Sequence, residues 1–320
     1  MTLGDMLVGA RERTLNLALG VRPGEILNPA ISEPALQESQ DIAAELKQAI
    51  TAFKASAFDG HQGNDTILRQ SAAYITYRTT CSPQLRELDL TTLTTREERL
   101  AFWINLYNAL VIDAVIALGV QHSVTEGRAG VLTFFRRAAY IVGGQRFSCE
   151  DVEHGILRAN RGHPILPGPQ FGPSDPRRAS VIAPVDPRIH FALNCASRSC
   201  PPIGVYSAGQ IDAQLDLATA NFLAADVAVD PASGSMHLSS IFRWYAGDFG
   251  GRAGLIAFLL RHLRDDEHRA WLLKHRESAR FVYRPYDWSL NVWGSSQYND
   301  RRMAANKRTD TEVRPKHERP

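Results

Sequence analysis

The sequence predicts an α+β fold, mainly helical with a small antiparallel sheet, built as a single large domain. Apolar residues recur at helical spacing over several long segments, while β-type runs are short and sit beside glycine turns. Helices also fail to alternate with strands as a doubly wound parallel sheet requires. The 320 residues are enough to bury a core without disulfides or metals. At 44% hydrophobic and 22% charged residues, the composition excludes a disordered, collagenous or fibrous chain.

Residues 1–35 read as an N-terminal helix and a connector broken at Arg22-Pro23-Gly24 and Asn28-Pro29. The main domain is expected over 36–298. Within it Leu36, Ile42, Ala43, Leu46, Ala49, Ile50 and Phe53 share a helix face, and Ile67 to Tyr77 adds a further helix or mixed segment. Thr94-Thr95-Arg96-Glu97-Glu98 is a helix start, because a hydroxyl caps the first free N–H groups and acids favour the positive end of the dipole. This helix is expected to run to Leu118 and stop at Gly119. Asn105, Asn108 and Asp113 interrupt its apolar stretch, which reads as a buried core helix and not a membrane span.

Next, Ala139 to Val142 and Gln145 to Phe147 form two strands around Gly143-Gly144, a pair that accepts a primed hairpin turn without a Cβ clash. Ser148 caps a helix from Cys149 to Arg158, with Asp151 in the reciprocal position and Val152, Ile156 and Leu157 facing inward. Seven prolines between His163 and Pro187 make that stretch a long irregular loop. The run Arg188 to Cys195 reads as extended. After it come an amphipathic helix from Ser207 to Ala225, a turn from Asp230 to Gly234, a strand from Met236 to Leu238, a helix from Leu255 to Leu263 and a strand from Phe281 to Tyr283. Residues 299–320 are basic and almost free of apolar side chains, so a disordered tail is expected.

Thirty-six basic against 34 acidic residues leave a charge of +2, too small for a general grip on nucleic acid. Cys81, Cys149, Cys195 and Cys200 do not form a secreted disulfide framework, and the N-terminal run has an acid, Asp5, where a secretory signal has basic residues. A reducing compartment, the cytoplasm, is the expectation.

The motifs Phe102-Trp103-Ile104-Asn105-Leu106-Tyr107-Asn108, Glu153-His154-Gly155-Ile156-Leu157-Arg158, Asp186-Pro187-Arg188-Ile189-His190-Phe191-Ala192, Asn194-Cys195, Ser199-Cys200-Pro201-Pro202, Phe242-Arg243-Trp244-Tyr245, Asp248-Phe249 and Tyr286-Asp287-Trp288 occur in this order. The chain thereby resembles the family catalogued as domain of unknown function 547, found in bacterial proteins and at the C-terminal end of plant leucine-zipper-type proteins, over roughly residues 40–292. That resemblance implies no activity. The leucine-zipper arm of the plant members has no counterpart, since no heptad run precedes residue 40.

Reactive residue types concentrate between 188 and 202. One reading makes Cys195 a thiol nucleophile, with Cys200 second, His190 as base, Asp248 orienting the imidazole and Asn108 or Asn194 donating amide hydrogens. Cys200 could also gain thiolate character at the start of a helix or turn opened by Pro201-Pro202. Arg188, Asn194 and Trp103 are the candidates for substrate contacts. The alternatives are buried cysteines beside a core histidine, a Cys195–Cys200 redox pair, and a metal set drawn from His154, His190, Cys195, Cys200 and Asp248. The metal signal is weak, because C-x4-C lacks a second matched pair. Asn105 and Asn108 are expected to hydrogen-bond the loop 163–187, and Arg188 to pair with Asp186 or Glu153 unless it holds a substrate carboxylate. Asp248 otherwise caps the helix after Gly250-Gly251.

No cofactor is expected: the phosphate loop and the dinucleotide fingerprint are missing, as is G-x-S-x-G. The expected function is therefore a Cys-His site, a thiol-dependent hydrolase or an acyl or amide transferase acting on a small molecule or peptide, with no nucleic-acid or membrane partner. A non-catalytic interaction scaffold and a metal-binding or thiol-redox protein are the alternatives.

Overall fold

The computed structural model describes residues 2–30, 42–57, 69–127 and 129–290. The expected tail and the first part of the expected helix around Leu36 lie outside them. The fold is α+β and mainly helical, with two small sheets. Helix α1 (Leu3–Leu19) buries none of its residues. Helix α2 (Ile42–Ala57) packs beside the central helix through the fully buried Leu46 and Ile50. Helix α3 (Ala72–Thr76) continues through a π turn at Tyr77–Cys81.

The core is organised on α4 (Arg96–Ala117). Thr95 and Glu98 cap it reciprocally, and every residue from Leu100 to Ile116 is buried. Among the described residues it is the one helix long and apolar enough to cross a membrane, and the rest of the chain covers it. The polar residues inside are satisfied. Asp113 accepts from Tyr74 Oη and Tyr140 Oη at 2.7 Å and from Arg78 Nη1 at 2.8 Å. Asn105 and Asn108 do not bond the loop 163–187 as expected. Asn105 exchanges two hydrogen bonds with the Tyr206 backbone, and Asn108 joins Ala192 O to Asn194 N. An amide side chain matches a peptide unit in donor and acceptor, so each splints the segment that carries the cysteines.

After the short α5 (Val131–Arg137), β1 (Ala139–Val142) and β2 (Gln145–Ser148) pair antiparallel around Gly143 and Gly144, both at positive φ. Ser148 and Asp151 form the expected reciprocal cap. The following helix is wound as a π-helix over Asp151–Leu157. Gly155 lets the buried Phe171 ring lie against it; a Cβ there would meet that ring at 2.3 Å. Through Phe171 and Asn160 the proline-rich loop is packed down on this helix.

Helix α6 (Ile211–Asp226) leads to a three-stranded sheet of β3 (Ala228–Asp230), β4 (Ser235–Ser239) and β5 (Arg280–Arg284). Strands β3 and β4 are antiparallel. The pair β4–β5 is parallel within otherwise antiparallel pairing, and its crossover runs through α7 (Ile241–Trp244), α8 (Gly251–His262) and α9 (Asp266–His275). Strand β3 and helix α9 escaped the sequence pattern, although Asp265 caps α9 by accepting from His268 N–H.

Two apolar clusters result, one around α4 and one between the larger sheet and α6 to α9. Between them runs Pro187–Phe191, a 3-10 turn capped by Asp186 and opened by Pro187, where an extended run was expected. Ile189 and Ala192 enter the first cluster and Phe191 the second, which leaves His190 at the seam.

Candidate functional site

A cavity of about 100 Å³ lies at this seam. Tyr107 of α4, Phe135 of α5, and Trp244 with Tyr245 at the end of α7 form walls. Glu150, Glu153 and His154 come from the π-helix region, His163 from the proline-rich loop, and Tyr286 and Trp288 from the segment after β5. His190, Cys195 and Cys200 line the same space.

His190 is fixed on two sides. Its ring stacks on Tyr245 at 3.9 Å between centroids, and its Nε2 lies 2.9 Å from Asp248 Oδ2. Burial lowers the His190 pKa, so the ring is neutral at neutral pH, donates Nε2–H to the carboxylate and keeps its Nδ1 lone pair. Asp248 also receives Arg158 Nη2 at 3.1 Å and Arg161 Nη1 at 2.8 Å. Burial opposes its ionisation, yet the hydrogen bonds from His190 and Arg158 hold its carboxyl well below the usual carboxylate range. Of the two roles expected for Asp248, the geometry corresponds to orienting the imidazole; α8 has no side-chain cap.

Cys195 and Cys200 are joined as a disulfide with their Cα atoms 6.2 Å apart. Cys200 Sγ accepts from Cys195 N–H at 2.9 Å and lies 3.3 Å from Ser197 Oγ and 3.2 Å from Tyr286 Oη. Asn194 ties the loop by donating to Pro201 O at 2.6 Å and accepting from Ala196 N–H at 2.8 Å. Residues 286–290 clamp it from outside, with Arg198 N–H bonded to Ser289 O at 2.9 Å and Asp287 N–H to Ser199 Oγ at 2.8 Å. The hydrogen-bonded His190–Cys195 dyad is not formed: the imidazole is committed to Asp248 and the sulfurs to each other. Nor does a helix start at Cys200, since α6 begins at Ile211. Cys81 and Cys149 are buried free thiols; burial pushes Cys81 up to about 12 and Cys149 well above its ordinary value.

The remaining candidate residues make other contacts. Asn108 and Asn194 hydrogen-bond backbone. Trp103 is a core side chain, packed on Phe102 and Phe147. Arg188 pairs with Asp186 as expected, and also with Asp212 and Asp216, each at 2.7 Å, and does not line this cavity. Sequence reasoning passed over Glu150 and His163, although Glu150 and His154 stand four apart where a helix brings side chains to one face.

The metal set weighed as a weak alternative does not assemble, because His190 is bonded to Asp248 and Cys195 to Cys200. Glu150, His154 and His163 instead bring ligand-type atoms within 4.8 Å of one another. Their surroundings suit a metal poorly. A metal-bound imidazole ordinarily donates from its other nitrogen, whereas His154 Nδ1 faces Arg158 Nη1 at 3.2 Å and His163 Nδ1 faces Ile165 N–H at 3.3 Å.

No curated protein and no solved structure gives a significant match to the chain. The resemblance drawn from its motifs holds over a shorter stretch than the motifs span: the family this chain resembles is the one described as "Protein of unknown function, DUF547", whose model matches residues 90–223.

Proposed function

We propose that the cavity is a site of thiol chemistry in which Cys195 and Cys200 cycle between disulfide and dithiol. The observation that carries this reading is the set of donors on the two sulfurs: Ser197 Oγ and Tyr286 Oη lie 3.2–3.3 Å from both, and the Cys195 N–H adds a further donor to Cys200 Sγ at 2.9 Å. Such donors stabilise a thiolate leaving group. Cys195, the more exposed of the two, is the sulfur open to attack.

In the exchange, His190 Nδ1 takes the proton of an incoming small thiol, and the thiolate attacks Cys195 Sγ. The Cys195–Cys200 bond breaks, and Cys200 departs as a thiolate. A second thiolate then attacks the outer sulfur of the mixed disulfide and releases Cys195. Two thiols are oxidised to one disulfide, and one protein disulfide is reduced to two thiols. In the reducing compartment expected for this chain, a disulfide of this kind is transient and catalytic.

A second reading is favoured by the His190–Asp248 bond: the reduced Cys195 acts as nucleophile on an acyl or amide carbonyl, with His190 as base. The test is common to both. Alkylate the chain with iodoacetamide across pH 5 to 9, with and without prior reduction. The proposal expects labelling of Cys195 and Cys200 only after reduction, one of them with an apparent pKa below about 8. Equal labelling before reduction would overturn the exchange reading, and the absence of such a thiol after reduction would overturn both and leave the scaffold alternative. Turnover of a thiol substrate against a thioester then separates exchange from acyl transfer.

A further inference from the structure

The geometry points to a second property of the same cavity, recognition of a small organic cation bearing an ammonium group. Six aromatic side chains line it: Tyr107, Phe135, Trp244, Tyr245, Tyr286 and Trp288. Trp244, Tyr286 and Trp288 form one continuous wall, with ring centroids 4.6 to 5.6 Å apart. Among the described residues no lysine or arginine lines the space, while the carboxyl of Glu153 does.

Glu153 supplies the second, independent observation. Its two oxygens accept from hydroxyls, Oε1 from Tyr245 at 2.6 Å and Oε2 from Tyr107 at 3.0 Å. Its nearest basic side chain among the described residues is His154, whose Nδ1 lies 3.9 Å away and faces Arg158. Hydroxyls orient a carboxylate without cancelling its charge. The two neighbouring guanidiniums are paired with other acids: Arg158, which lies 4.7 Å over the Tyr245 ring, with Asp248, and Arg136 with Glu12 at 2.6 Å and Glu150 at 3.4 Å. A partly buried carboxylate with no lysine or arginine among the described residues in salt-bridge reach, set among six aromatic side chains, matches an ammonium head group and repels an anion. The volume of about 100 Å³ limits the ligand to a few heavy atoms around the charge.

This inference does not depend on the thiol reading. The experiment is calorimetric titration of the full chain, oxidised and reduced, with choline and with its uncharged isostere 3,3-dimethylbutan-1-ol at 0.15 M salt. Saturable binding of one choline, at least tenfold tighter than the isostere, is the expected result. Glu153→Gln is expected to weaken choline tenfold or more while leaving the isostere unchanged, with circular dichroism confirming the fold. Equal affinity for the two probes in the unsubstituted protein, tighter binding of acetate than of choline, or failure of choline to bind would each overturn the inference. A chain that binds choline but shows no reducible cysteine pair would sustain this proposal and sink the thiol one.

Discussion

Asp248 holds His190 across 58 positions of sequence, with Oδ2 2.9 Å from Nε2 and both side chains 1% exposed. The same carboxylate pairs with Arg158 and Arg161, so one acid positions an imidazole and two guanidiniums at the seam between the two cores.

Asp248→Asn leaves Arg158 buried beside a neutral amide. Removing one partner of a buried pair costs roughly 3–5 kcal/mol, and the variant is expected to lose about that much by urea unfolding. A loss below about 1 kcal/mol would show that the cluster does not hold the seam.

Tyr286→Phe removes one of the donors on Cys200 Sγ. A hydrogen bond to a charged group is worth roughly 1.5–3 kcal/mol, and 1.36 kcal/mol is one pK unit. The reduced variant is therefore expected to show its lower thiol pKa raised by about one unit or more in an alkylation profile. An unchanged profile would remove Tyr286 from thiolate stabilisation.

Buried titratable groups give opposing pH slopes. Burial lowers His163 to about 4, so between the ordinary imidazole value and about 4 the unfolded chain binds more protons, and this contribution to stability is lost as pH falls through that window. Burial raises Glu150 to about 8, and its contribution is full below the ordinary carboxylate value and lost as pH rises towards about 8. In unfolding curves between pH 4 and 8, His163→Gln is expected to flatten the acid-side fall and Glu150→Gln the alkaline-side fall. Parallel curves for variants and parent would contradict the assignment.

Gly155→Ala places a methyl 2.3 Å from the Phe171 ring. Overpacking of this kind costs roughly 1–3 kcal/mol. Phe171→Leu is expected to destabilise alone and to recover part of the Gly155→Ala loss when combined with it. Strictly additive losses in the double-mutant cycle would show that the two positions do not press on each other.

The neighbourhood of each site residue was legible where the signal is local. The reciprocal cap at Thr95 and Glu98, the glycine hairpin, and the Ser148–Asp151 cap depend on residues within four positions of each other. The 3-10 turn at Pro187–Phe191 was missed, because a run such as Ile189-His190-Phe191-Ala192 satisfies a strand pattern when nothing indicates that two cores will flank it.

By itself, then, the sequence determined the α+β class, the central buried helix and the concentration of sulfur and imidazole near 188–202, since periodicity, capping and composition act over short chain distances. Only the tertiary structure decided that His190 faces Asp248 and not a sulfur, that Tyr286 reaches the cysteines from 91 and 86 positions away, and that Glu153 meets Tyr107 and Tyr245. Those meetings follow from how the two apolar clusters close against each other, and no spacing along the chain encodes that.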